Sequence, residues 1–197
     1  MLSDFLQPIN NNLLEEYYYT NAYVKEYIHL FQESKLLEEY KVAILGVEDF
    51  RGYIKNKGTE KGPDEVRKQL YQCSAFTNGM QLLDLGNIKA GETYVDTLVA
   101  LVETLHELFK HNIITIIIGG DAALASAQFK ANEIFENQIT VAQIASKVVW
   151  ENSDMDIHKT YLKDFFLSDF LKKYNLVAYQ SYFIQEKQIS FLSSKNH

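Results

Sequence analysis

The run from Ile113 to Leu124, Ile-Ile-Thr-Ile-Ile-Ile-Gly-Gly-Asp-Ala-Ala-Leu, limits what this chain can become more than any other stretch. A nearly unbroken series of β-branched apolar residues predicts a strand buried on both faces, as a parallel sheet requires. Gly119 and Gly120 close it abruptly, so a loop and then a helix should follow. In open α/β sheets the crevice beyond the carboxyl ends of the strands is where ligands bind. Gly119, Gly120 and Asp121 therefore mark the place for chemistry.

Upstream, Lys41 to Val47 reads as an earlier buried strand. The segment from Glu48 to Asp64 should be an ordered loop, since it carries Gly52, Gly58, Gly62 and Pro63. Pro63 with Asp64 and Glu65 signals a helix start, because proline suits the first turn and acids suit the positive end of the dipole. Gln81 to Leu85 suggests a short strand ending at Gly86. Tyr94 to Lys110 carries Leu98, Leu101, Val102, Leu105 and Leu108 at helical spacing. His106 lies within that helix, and with no second histidine four positions away it reads as a surface or packing residue. A helix over Ala122 to Phe135 and a strand over Ile139 to Ile144 complete the alternation. Residues 1–40 are polar and tyrosine-rich, and their irregular apolar spacing gives a helical segment. Tyr17-Tyr18-Tyr19 there reads as a packing or subunit-contact surface.

Charge and cysteine content narrow the function. Nineteen basic against twenty-six acidic side chains give a net charge of -7, which opposes nucleic acid as a partner. The single Cys73 excludes an intrachain disulfide and a cysteine-rich zinc site, and with no signal-like start it points to the cytoplasm. No apolar run approaches a membrane span. The loop after the first buried strand has neither Walker spacing nor Gly-x-Gly-x-x-Gly, so a nucleotide loop is not expected.

Taken together, Ile44-Leu45-Gly46-Val47, the segment Gly58 to Arg67 with Gly62-Pro63 and Arg67, and Ile116-Ile117-Ile118-Gly119-Gly120-Asp121 resemble the ureohydrolase family of arginase, agmatinase and formimidoylglutamase. The resemblance covers roughly residues 40–150, about the amino-terminal half of a usual family domain on length grounds. It implies a three-layer α/β/α fold with a mostly parallel sheet, arginase-like and truncated. It also implies an organisation of 1–40 as a helical segment, 41–190 as the α/β domain and 191–197 as a flexible tail.

In that family Gly-Gly-Asp is followed by a histidine that binds one of two manganese ions, and here that position is Ala122. The next family motif, Asp-x-His-x-Asp at a strand end, aligns with Ala145, Lys147 and Val149. A later Asp-x-Asp motif has no counterpart. Asp121, which in the resemblance supports the site without binding metal, is kept. Alanine and valine offer manganese no donor atom, and a lysine ammonium repels it. The family's reaction uses a hydroxide bridging two metal ions to split a guanidino or amidino carbon–nitrogen bond. The expectation is a ureohydrolase-like protein that needs no cofactor, is catalytically inactive and acts as a binding or assembly module. The alternative is a manganese-dependent hydrolase of linear amidines that is a fragment or altered form of a longer enzyme, with Asp154, Asp156 and His158 as replacement ligands. Those three residues read first as the start of a helix, since Ser153, Asp154 and Asp156 are natural caps. A third reading is a small guanidino-ligand binder using the Gly119-Gly120 turn. A homo-oligomer or a protein partner is expected from the resemblance and from the aromatic amino-terminal segment, and a sheet with fewer strands than its relatives also leaves an edge in need of cover.

Overall fold

The computed structural model describes residues 2–10, 12–15, 23–32, 37–52, 57–75, 81–148 and 157–194. Contacts divide it into two compact units, Met1–Ala122 and Ala123–His197.

The first unit is built on a five-stranded sheet. Its strands are β1 (Leu6–Gln7), β2 (Ile28–Leu30), β3 (Val42–Val47), β4 (Leu82–Ile88) and β5 (Ile114–Gly119). β3 lies between β4 and β5, parallel to both. The far edge of β4 is shared: β2 pairs parallel with Leu82–Asp84, and β1 pairs antiparallel with Asn87–Ile88. Three helices belong to this unit, α1 (Asn12–Glu15), α2 (Gly62–Leu70) and α3 (Tyr94–Lys110). α3 occupies the predicted residues. A capping box sets its start, with Thr93 Oγ1 accepting from the Asp96 N–H and the Asp96 carboxylate accepting from the Thr93 N–H. Leu101, Leu105 and Leu108 of α3 are fully buried, as are Ile44, Leu45, Leu83 and Leu85 of the sheet. That burial is the main stabilising term.

One side chain departs from this apolar pattern. Arg67 of α2 is completely buried. Its Nε and Nη2 donate to the two oxygens of Asp84 at 2.9 and 3.0 Å. Nη1 donates to Asn87 Oδ1 and to Asp64 Oδ1, and Nη2 also reaches the Gly86 carbonyl at 2.8 Å. Tyr71 Oη donates to the same Asp84 carboxylate. The arrangement explains Gly46, where a Cβ would stand 1.9 Å from Asn87 Oδ1 and 2.9 Å from Arg67 Nη1. It also explains why β4 runs past its predicted end. Gly86, at φ 78°, supplies the irregularity in register, and Asn87 rejoins the ladder held by arginine.

The second unit holds the helices α4 (Leu124–Glu133), α5 (Ile157–Leu167) and α6 (Glu186–Ser194) and the strands β6 (Ile139–Ile144) and β7 (Leu171–Val177). β6 and β7 form a two-stranded parallel sheet. Its core is aromatic: Phe129 of α4 stacks on Phe165 of α5 at 4.5 Å, and Phe166 meets Tyr174 and Phe191 edge-on.

The fold class matches expectation, and three details differ. In the sheet, β5 is not buried on both faces: Ile114 and Ile116 are 68% and 45% exposed. The reason is position, since β5 is the last strand of its sheet among the described residues. Among the described residues of 2–40 stand short strands, 3-10 turns and α1, and β1 and β2 are recruited to the edge of β4. The expected flexible tail is helical through Ser194. The Tyr17-Tyr18-Tyr19 run lies outside the described residues.

Removing one member of a buried ion pair leaves the other charge uncompensated, which costs about 3–5 kcal/mol. Asp84→Ala should therefore lower stability by about that amount in urea unfolding, whereas Glu65→Ala, which breaks only the exposed pair with Lys68, should change it by less than about 1 kcal/mol.

Candidate functional site

The carboxyl ends of β3 and β5 lie side by side, with Val47 opposite Gly119. The residues just beyond them are the ones that the sequence marks. Asp121 is buried, at 8% exposure, while Ala122 is exposed in the turn before α4. The Gly120 carbonyl accepts a long hydrogen bond, 3.4 Å, from Thr59 Oγ1.

Asp49, only 3% exposed, is the best-connected group here. Its carboxylate accepts from Arg51 Nε and Nη2, from the Arg51 backbone N–H, and from Thr97 Oγ1 at 2.7 Å. Arg51 continues to the carbonyls of Gly91 and Glu92, tying the loop after β3 to the start of α3. Burial pushes the Asp49 pKa up, but the hydrogen bonds from Arg51 and Thr97 and the Arg51 charge outweigh it and hold the carboxyl below its ordinary value. Tyr94, at the first turn of α3, is buried, and its hydroxyl has no hydrogen-bond partner among the described residues. Burial, followed by the negative charges of Asp121 and Asp49, raises its pKa and keeps the phenol neutral. Nearby Glu48 accepts from Asn87 Nδ2 at 2.8 Å, and its pKa is raised by burial and by Asp64. This end of the sheet thus carries carboxylates, a neutral phenol and an arginine, with Asp49 already engaged by Arg51 and Thr97.

The other positions singled out in the sequence belong to the second unit. Ala145 follows β6 and is half-buried, and Lys147 is exposed two residues later. Val149, Asp154 and Asp156 lie outside the described residues, and His158 falls in α5 where only its backbone is described. Among the described residues, no three His, Cys, Asp or Glu side chains come together in a way that could hold a metal ion. The sequence reading passed over Asp49, Arg51, Thr97 and Tyr94. Asp49 and Arg51 follow a buried strand directly, a signal that could have found them; Thr97 and Tyr94 look like ordinary helix residues.

A sequence model of the Arginase family matches residues 40–166. The chain belongs to the arginase family. Formimidoylglutamase from Bacillus subtilis subsp. subtilis str. 168 superposes with a TM-score of 0.77 at 17% identity, covering 92% of this chain and 60% of that one. An arginase superfamily protein from Trypanosoma cruzi gives 0.73 at 18% identity over 83% and 60% of the two chains. Trypanosoma cruzi formiminoglutamase with Mn2+ gives 0.72 at 19% identity over 83% and 61%. This arginase-family chain therefore spans about three-fifths of the length of the solved structures it matches. A comparison with curated protein sequences finds no match. No helix among the described residues is long and apolar enough to cross a membrane.

The depressed pKa of Asp49 has a sign that can be tested. A carboxyl whose ionised form is favoured in the folded state adds stability above its unfolded pKa, near ~3.9, and loses it as pH falls through the lower folded value. Asp49→Asn should therefore be less stable than the parent at pH 7 by about 1.5–3 kcal/mol, the range for hydrogen bonds to a charged group. The gap should narrow as urea unfolding is repeated at descending pH below about 4.

Proposed function

We propose that this arginase-family chain has given up the binuclear manganese centre and acts as a non-catalytic binding or assembly module. The observation that carries the proposal is selective loss. The framework residues Gly46, Pro63, Arg67, Gly119, Gly120 and Asp121 are present, and Arg67 is fully engaged. The four positions that align with metal ligands hold Ala122, Ala145, Lys147 and Val149. A hydroxide activated between two metal ions needs both ions held by donor atoms, and these side chains supply none that binds manganese. Asp49 does not replace them, since Arg51 and Thr97 take up its carboxylate.

Two measurements bear on this. The purified chain dialysed against manganese and analysed by atomic emission should hold well under one ion per chain, and it should release neither urea from guanidino substrates nor formamide from formimidoylglutamate. Stoichiometric manganese with turnover would overturn the proposal. The combined variant Ala122→His, Ala145→Asp, Lys147→His and Val149→Asp should gain manganese uptake if only the ligands have been lost.

A second reading, a working manganese-dependent hydrolase with unconventional ligands, draws support from the manganese-containing Trypanosoma cruzi formiminoglutamase among the structural neighbours. Here Asp154, Asp156 and His158 would bind the metal. The double substitution Asp154→Ala, Asp156→Ala should abolish manganese uptake under this reading and leave it unchanged under the first.

A further inference from the structure

We draw no further inference here: the strongest candidate, the cavity of about 270 Å³ beside Gly86 of β4, which Leu6, Pro8, Ile9, Leu30 and Phe31 line where β1 and β2 meet the β4 edge, carries nothing because nothing in the structure shows what covers it.

Discussion

A single arginine holds the first unit in register. Arg67 arrives on α2, is sealed from solvent, and spends every donor it has on β4 and on its own helix: two on Asp84, one on the Gly86 carbonyl, and one each on Asn87 and Asp64. A buried guanidinium is tolerable only when such geometry is complete, because its desolvation exceeds what any one contact returns. The helix cannot slide and the strand cannot slip without exposing that cost. The same contacts decide the course of β4. Its left-handed Gly86 places the carbonyl under the guanidinium, and Asn87 resumes the ladder while reaching Glu48 beyond β3.

From there the crevice follows. β3 and β5 end side by side, so the loops after them bring Asp49 and Asp121 to the same end of the sheet. Arg51 then links the β3 loop to the first turn of α3, where Thr97 and Tyr94 face the carboxylates. The result is a preorganised polar cluster in which Asp49 is committed to structure. This contrasts with a metal centre, where carboxylates and imidazoles must be left with lone pairs to give. Asp49, Arg51 and Thr97 thus find their partners within the framework itself.

Much of the framework was legible in the sequence. Tyr94–Lys110 was read to the residue because it is long, periodic and flanked by cap and basic end. Pro63 and Arg67 stood out as a pair, though nothing local told that Arg67 would be buried, since its partners Asp84 and Asn87 come from a distant strand. Asp84 sits in Leu-Leu-Asp-Leu, where a lone charge on a strand ordinarily faces water. The isoleucine run misled in one respect: β-branched residues report that a segment suits a sheet, not how many neighbours the sheet provides. The amino-terminal forty residues were hardest, because an irregular apolar pattern does not reveal that β1 and β2 will take opposite directions along one edge.

Gly46 is the quiet partner in this design. Asn87 and Arg67 occupy the volume that any side chain at position 46 would need. Three residues far apart in the chain therefore share one allotment of space, and none can grow unless another shrinks. Across lineages that keep this sheet they should drift as a linked set, so that a bulkier residue at 46 is met together with a smaller one at 87 or with a withdrawn arginine.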